Sequence, residues 1–118
     1  MKEQEDCIFC KIAGKKMPAD IIKETDNFIA IEDLNPVAPV HLLIISKKHY
    51  DSLLDVGGKD DNIGGNEIFA LIGELAREFN AWERGFRTVI NTKNDGGQTV
   101  KHLHIHFMAG RRFGWPPG

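Results

Sequence analysis

The chain of 118 residues lacks the features that mark secreted, membrane-spanning or nucleic-acid-binding proteins. Its apolar runs, such as Leu42 to Ile45, are far shorter than the roughly 20 residues that a membrane-spanning helix needs. The polar start, Met1 to Asp6, is not followed by the apolar segment of a signal peptide. The 15 Lys and Arg residues form no basic block, and with 17 Asp and Glu residues the net charge is −2. We therefore expect a cytoplasmic protein that binds neither nucleic acid nor membranes.

Cysteine is scarce as well, since the chain has only Cys7 and Cys10. In a cytosolic protein, a Cys-x-x-Cys pair more often binds a metal or serves redox chemistry than forms a structural disulfide. The βαβ pattern that accompanies thioredoxin-like redox motifs does not surround this pair. Two interpretations remain open at this point, half of a zinc site and two buried thiols.

The rest of the sequence predicts one domain over residues 1–118, with a disordered tail at 1–6 and a carboxyl tail at 109–118. Apolar residues at helical spacing predict one long helix of about five turns, capped by Asn66 and preceded by a mobile loop at 55–65. This stripe consists of Ile68, Ile72, Leu75, Phe79 and Trp82. A short helix at Ile8–Ala13 and strands at 20–23, 27–32, 40–45, 87–91 and 98–108 complete the pattern. We expect an α+β fold, in which the long helix covers one face of an antiparallel sheet of about five strands.

Three of the five histidines alternate with apolar residues near the carboxyl end, in the order His102-Leu103-His104-Ile105-His106-Phe107. In a strand, this alternation places the three imidazoles on one face and the apolar side chains on the other. Three interpretations compete: a histidine-rich surface strand, a catalytic zinc site, and a cluster that provides a nucleophile and a phosphate clamp.

The histidine row resembles the motif of the histidine triad (HIT) superfamily of nucleotide hydrolases and transferases. Further segments resemble the Hint branch of that superfamily, in the same order along the chain. They are Cys7 to Ile12, Asp33 to His41, Ser46 to His49, Asn91, Asp95 to Thr99, and Trp115 to Gly118. The resemblance therefore covers nearly the whole chain, and the terminal Trp-Pro-Pro-Gly is a mark of the branch.

The resemblance implies a role for each residue that matches the family motif. His104 is expected to attack the α-phosphate and form a nucleotidyl-histidine, while His106 contacts the phosphate oxygens. His41 and His102 are expected to order the imidazole cluster. Thr99 stands where the family usually has serine, near the leaving group, so it retains the hydroxyl and adds a methyl group.

The same resemblance implies a set of nucleotide-binding residues. Asp33 corresponds to the family residue that hydrogen-bonds the ribose, and Ile31 stands where the Hint branch often has an aromatic ring. The complete set comprises Ile8, Phe9, Ile12, Ile31, Asp33, Leu34, Asn91, Gly97, Gln98, Thr99, His104, His106 and Trp115.

Cys7, Cys10, His49 and His102 match a Cys₂His₂ set that binds a structural metal in some superfamily members. Four such ligands suit tetrahedral zinc, and buried thiols remain the alternative. No cofactor is expected to be required for the chemistry itself.

The function implied is hydrolysis of purine nucleoside phosphoramidates, with AMP, GMP and their amine conjugates as ligands. Two alternatives stay open, a dinucleoside polyphosphate hydrolase and a non-catalytic nucleotide-binding or scaffold protein. A homodimer is also expected, in which the Trp115 tail helps to build the partner's active site and the long helix forms the contact.

Overall fold

A computed structural model describes residues 6–57 and 63–118, so the expectations for residues 1–5 and for the centre of the 55–65 loop lie outside the described residues. The elements are α1 (Ile8–Ala13), β1 (Ile21–Glu24), β2 (Phe28–Glu32), β3 (Val40–Ser46), a 3₁₀ turn (Leu53–Asp55), α2 (Gly65–Glu78), β4 (Phe86–Val89) and β5 (His104–Ala109). The strands form a five-stranded antiparallel sheet in the order β1-β2-β3-β5-β4. The predicted α+β class is confirmed.

The sheet separates two hydrophobic clusters. On one face, α2 packs its buried side chains against the sheet; this cluster includes Phe28, Leu42, Ile44, Leu71, Leu75, Ile105 and Phe107. On the other face, α1 covers a second cluster of Phe9, Ile12, Ile29, Ile31, Leu43 and Ile45. Ile45 pairs with His104 across the sheet, and Leu43 pairs with His106. Because side chains paired across antiparallel strands lie on the same face, both histidines lie on the α1 face.

The long helix is shorter than the sequence pattern predicts. α2 is capped by Gly64, so Asn66 lies within its first turn rather than at the cap. Phe79 is the C-cap, and Asn80 follows in the left-handed region with φ of 57°. The helix therefore stops before Trp82, which is 59% exposed, while Phe79 still packs partly on the core.

The triad strand is also shorter than predicted. β5 begins at His104, and the chain before it bends at residues 100–102. The His102 N–H donates to the Val100 carbonyl and the Leu103 N–H donates to the Tyr50 carbonyl, at 2.9 and 2.8 Å. These bonds belong to a bend before β5, so the prediction that the strand begins at residue 98 and includes His102 is wrong. The His102 ring still lies on the side of α1, where Phe9 contacts both His102 and His104.

The other strands lie close to their predicted bounds, and only β4 ends two residues early, at Val89. It ends there because the chain enters a turn, in which the Gly97 and Gln98 N–H groups donate to the Asn94 and Lys93 carbonyls. No helix in the described part of the chain has the length and apolar content that a membrane span requires.

Candidate active site

His104 is the central side chain of the site and lies buried on β5. Its Nδ1 is 2.7 Å from the backbone carbonyl of His102, and a carbonyl oxygen can only accept a hydrogen bond. In the neutral ring, the proton is therefore on Nδ1 and the lone pair is on Nε2. Phe9 of α1 contacts the ring edge-on, with centroids 5.1 Å apart, and restricts its orientation. His104 is thus held in the tautomer that a nucleophile at Nε2 requires.

His41, His106 and Asp33 form a hydrogen-bonded group beside His104. The Val37 N–H donates to His41 Nδ1 across 3.1 Å, so the proton of the neutral His41 ring is on Nε2. That Nε2 lies 2.9 Å from His106 Nδ1 and 3.3 Å from Asp33 Oδ2. When His41 donates to His106 Nδ1, the His106 proton is on Nε2, where it can be donated to an oxygen-rich ligand.

The surroundings of His106 favour its neutral form. Burial lowers the pKa of His106, and His104 and His41 lower it further, whereas the Asp33 carboxylate raises it. The rings of His104 and His106 are close, with centroids 5.3 Å apart. A neutral hydrogen-bond donor therefore lies next to the His104 ring.

Asp33 lies beside the imidazoles of His41 and His106. Its Oδ2 faces His41 and is 4.0 Å from His106 Nδ1, and its Oδ1 accepts from the Asn35 N–H at 2.8 Å. The structure thus brings this carboxylate to the imidazoles, where it can orient His41, in addition to any contact with a ribose.

A second cluster joins α1 to the segment after β3 and the segment before β5. The donor atoms of Cys7, Cys10, His49 and His102 all lie within 4.8 Å of one another. His102 Nδ1 is 3.1 Å from Cys7 Sγ and 3.5 Å from Cys10 Sγ. His49 Nδ1 is 3.2 Å from Cys10 Sγ, and the two imidazoles meet edge to face. All of these residues except Cys7 are buried.

The hydrogen bonds of the two imidazoles fit a metal ligand set. His102 Nε2 is 2.7 Å from the Ser46 carbonyl, and His49 Nε2 is 2.8 Å from Asp51 Oδ1. Both acceptors keep the ring proton on Nε2, which leaves the two Nδ1 lone pairs directed at the thiols. Burial lowers the pKa of His102 to about 4, so this ring stays neutral. Two cysteine sulfurs and two imidazole Nδ1 atoms are the donor chemistry of a closed tetrahedral zinc site.

The loop before β5 is tied down by Gln98 and Asn91. Gln98 Nε2 donates to the carbonyls of Asp51 and Val100, and its Oε1 accepts from the Lys93 N–H. Asn91 Nδ2 donates to the Gly96 carbonyl at 2.6 Å. The side-chain amides of Gln98 and Asn91 therefore hold the backbone of the loop in place by hydrogen bonds. Gly97, with φ of 74°, and Thr99 are exposed and available to a ligand.

The residues expected to hold the base divide into two groups. Phe9, Ile12 and Ile31 lie together in the buried cluster on the α1 face. Ile8 and Leu34 are 44% and 92% exposed and are not part of that cluster. The structure therefore brings three of the five apolar residues together.

Trp115 is 85% exposed, although the segment before it is anchored. Arg87 donates to the Gly114 carbonyl at 2.7 Å, and the guanidiniums of Arg87 and Arg111 lie 5.2 and 4.1 Å from the Phe113 ring centroid. Within the described chain, Trp115 does not reach His104.

Sequence reasoning missed Asp51, the Ser46 carbonyl and the His102 carbonyl, each of which orients an imidazole. Of these three groups, only the Asp51 carboxylate, two residues after His49, could have been identified from the sequence. The two backbone carbonyls could not, because every residue has a backbone carbonyl.

Comparison with known proteins agrees with this geometry. Residues 14–113 match the family model described as the HIT domain. The chain is 44% identical over 114 residues to an uncharacterized HIT-like protein of Synechococcus elongatus. The aligned region covers 97% of this chain and 98% of that protein.

Two solved structures share the fold. A HIT family hydrolase from Legionella pneumophila is 42% identical, with a TM-score of 0.88 over 96% of this chain and 100% of that chain. A histidine triad nucleotide-binding protein from Candida albicans is 26% identical, with a TM-score of 0.75 over 94% of this chain and 83% of that chain. The match of the family model over most of the chain, together with the imidazoles gathered on β3 and β5, shows that this chain belongs to the HIT domain family.

Proposed function

We propose that this protein hydrolyses purine nucleoside phosphoramidates, as a member of the Hint branch, and releases AMP or GMP from amine conjugates. The observation that carries the proposal is the His104 ring, whose Nδ1–H is held by the His102 carbonyl so that Nε2 has the free lone pair. A scaffold protein would not need this tautomer. The Legionella relative is a HIT family hydrolase and the Candida relative is a nucleotide-binding protein, and both support the same class of activity.

The reaction proceeds in two displacements at phosphorus. His104 Nε2 attacks the α-phosphorus, the P–N bond breaks, and the amine departs with a proton from the solvent-exposed side, where we place the Thr99 hydroxyl. Water then attacks the phosphorus of the nucleotidyl-histidine, the P–Nε2 bond breaks, and the attacking water gives up one proton to solvent. This step releases the nucleoside monophosphate and restores His104 with its Nε2 lone pair. His106 donates from Nε2 to a phosphate oxygen, and this stabilises the charge that develops there.

Recognition of the nucleoside is assigned to the α1 face. Phe9, Ile12 and Ile31 provide the apolar surface for a purine, with Ile8 and Leu34 at its exposed edge. Asp33 accepts from a ribose hydroxyl while it also orients His41. The phosphate lies over the Gly97–Thr99 loop, which Gln98 and Asn91 hold in place.

A side-by-side turnover assay with adenosine 5′-phosphoramidate and diadenosine polyphosphates tests this function. We expect kcat/KM to be at least tenfold higher on the phosphoramidate. His104→Ala protein, purified by the same procedure, serves as the blank for contaminating hydrolases. Higher activity on the polyphosphate would support the dinucleoside polyphosphate hydrolase instead. Nucleotide binding without turnover of either substrate would support the non-catalytic alternative.

We also propose that Cys7, Cys10, His49 and His102 hold a structural zinc ion. The donor chemistry and the Nε2–H acceptors of both imidazoles support this assignment. Zinc would cross-link α1 to the segments that flank β3 and β5, and the closed donor set leaves no coordination position for substrate.

The quaternary proposal is a two-fold homodimer in which the Trp115 tail docks near the leaving group of the partner. Trp115 supports the dimer because it is exposed directly after Gly114, whose carbonyl is held by Arg87. The exposed rings of Trp82 and Phe86 also support it. Deletion of residues 114–118 should leave the dimer intact and change the ranking of kcat/KM among phosphoramidates with different amines. A monomer in sedimentation experiments, or an unchanged ranking, would contradict this proposal.

A further inference from the structure

We infer that Arg111 is a positioning residue for the triad. It holds the loop between β2 and β3, and the Val37 N–H of that loop therefore stays on His41 Nδ1. This role rests on the proposed function, because it acts through the hydrogen bond between His41 and His106. The effect of Arg111 is indirect, since Val37 and His41 lie between its guanidinium and the ring that is proposed to contact the phosphate.

The loop between β2 and β3 makes few backbone hydrogen bonds of its own. Two of its residues, Pro36 and Pro39, have no N–H group, and the chain bends there without regular structure. The Asn35 N–H donates to Asp33 Oδ1, which fixes the start of the loop. The direction of the peptide groups around Val37 therefore depends on contacts with other segments.

Val37 is held at both its N–H and its carbonyl. The N–H donates to His41 Nδ1 at 3.1 Å, and the carbonyl accepts from Arg111 Nε at 2.9 Å. Because the two groups belong to one residue, an anchored carbonyl limits how far the N–H can turn away from the His41 ring. Val37 is 57% exposed, so its side chain provides little packing that could replace this anchor.

The guanidinium of Arg111 is itself held in place. It lies 4.1 Å from the centroid of the Phe113 ring, and its Nη1 donates to the Arg112 carbonyl at 3.1 Å. The guanidinium of Arg87 also faces the Phe113 ring, at 5.2 Å. A stacked, planar guanidinium loses less side-chain entropy for each hydrogen bond that it forms. The bond to the Val37 carbonyl is therefore stronger than one from a freely moving surface side chain.

A close backbone approach supports the same attachment. Gly110 precedes Arg111 and has φ of 94°, and a Cβ at position 110 would lie 2.8 Å from the Cβ of Pro39. Glycine permits both this φ and this approach because it has no Cβ. The segment after β5 therefore meets the β2–β3 loop by packing at Gly110 and by a hydrogen bond at Arg111.

The His41 ring transmits this attachment towards the phosphate. With the Val37 N–H on Nδ1, the His41 proton stays on Nε2, which is 2.9 Å from His106 Nδ1. His106 is then the Nε2–H tautomer that is proposed to donate to a phosphate oxygen. Without Arg111, the Val37 N–H can exchange its bond to His41 for one to water. The contact of Asp33 with His41 Nε2 persists, so we expect a partial loss of activity.

The first test measures the Val37–His41 hydrogen bond in Arg111→Met, which retains most of the length of the side chain and removes the donor. Because local opening of the loop becomes easier, the Val37 amide should exchange with solvent about threefold faster or more. Amide exchange measured by NMR on ¹⁵N-labelled protein gives this rate. Arg111 is exposed, so we expect the variant to fold.

Arg112→Met is the matched control. Arg112 is the adjacent exposed arginine, and it meets Arg111 through its backbone carbonyl, which the substitution retains. The control removes the same charge and should leave the exchange rate of the Val37 amide and kcat unchanged. An equal loss of kcat in both variants would indicate a general effect of positive charge and overturn the positioning role.

Kinetics then test whether Arg111 acts through His41. Arg111→Met should lower kcat by about three- to tenfold, the range of one ordinary hydrogen bond, and change KM by less than about twofold. The decrease should be the same for phosphoramidates with different amines, because His106 contacts the phosphate rather than the leaving group. In a His41→Leu background, Arg111→Met should have no further effect, since residues that share a partner are not additive.

Three results would overturn this role of Arg111. They are an unchanged exchange rate of the Val37 amide in Arg111→Met, a full further fall in kcat on top of His41→Leu, and a changed ranking of the amines. Each of them would leave the proposed hydrolase function standing, since that function fails only if the wild-type protein lacks turnover or His104 variants retain it. If the function fails, the exchange rate still decides whether Arg111 holds Val37.

Discussion

The two histidine clusters of this protein use the same side chain in opposite ways. At the Cys/His cluster, which His49 and His102 form with Cys7 and Cys10, the two rings are 1% and 0% exposed, and each directs its free nitrogen at a cysteine sulfur. At the triad, the side chain of His106 is 22% exposed, and its free position is left for a ligand. In both clusters, the hydrogen-bond partner of one ring nitrogen, an oxygen or another imidazole, determines whether the other nitrogen carries a proton or a free lone pair.

The burial of a histidine and the hydrogen-bond partner of its other ring nitrogen thus determine its role more than its place in a motif does. His102 lies in the triad motif, yet its ring belongs to the Cys/His cluster. His41 lies far from that motif in sequence, yet it bonds directly to His106. Variants that change one cluster and leave the other intact can separate their functions.

Substitution His104→Ala should abolish turnover, with kcat lowered by about 10³-fold or more, because the covalent route is lost. Nucleotide affinity should stay within about tenfold, since the apolar surface around Phe9 remains. Steady-state kinetics and equilibrium titration with AMP measure the two effects. The zinc content should not change, and retention of more than about a tenth of wild-type kcat would reject His104 as the nucleophile.

Removal of metal should act mainly on the other cluster. Freshly purified, reduced protein should contain close to one zinc per chain, and chelation should lower the free energy of unfolding. The expected loss is about 4 kcal/mol relative to protein in free zinc at about 1,000 times its Kd. Elemental analysis and denaturant titration measure these quantities. A metal-free preparation whose stability does not respond to added zinc would identify Cys7 and Cys10 as ordinary buried thiols.

Substitution His41→Leu should damage only the triad. It removes the donor to His106 Nδ1 and leaves that nitrogen without its 2.9 Å partner. We expect kcat to fall by about 10- to 100-fold, which corresponds to the roughly 1–3 kcal/mol that it costs to leave a buried hydrogen-bonding group without its partner. His49→Leu is the matched change in the other cluster and should lose zinc, whereas His41→Leu should retain it. Equal zinc loss in both variants would mean that the two clusters are not separate.

The smallest predicted effect is a pH dependence of stability that involves His106. Burial lowers its pKa below the usual value of 6.5, so the unfolded chain takes up this proton at a higher pH than the folded protein does. The free energy of unfolding should therefore decrease as the pH falls through 6.5 towards the folded pKa. Urea titrations above and below this pH should show a smaller decrease for His106→Gln than for the wild-type protein. An identical decrease in both proteins would contradict the assignment.

The fold was largely predictable from local patterns. The nearly continuous apolar runs of β2 and β3 reflect burial on both faces of the sheet. The spacing of Ile68, Ile72 and Leu75 reflects the α2 face that packs on the core. The ends of elements were less predictable. Trp82 continues the helical spacing, but the left-handed backbone at Asn80 ends the helix before it.

The amino-acid sequence by itself determined the class of fold, the family motif and the residue types available for chemistry. These follow from periodicity and from the order of side chains along one chain. Only the tertiary structure decided which nitrogen of each histidine is free and which cluster His102 joins. Those outcomes depend on the carbonyls of Ser46 and His102 and on the Asp51 carboxylate. The Ser46 carbonyl meets the His102 ring only because two segments 56 residues apart pack together. The His102 carbonyl and the Asp51 carboxylate are close in sequence to the rings that they orient, but their contacts depend on the conformation of the chain there, and a backbone carbonyl has no counterpart in the sequence.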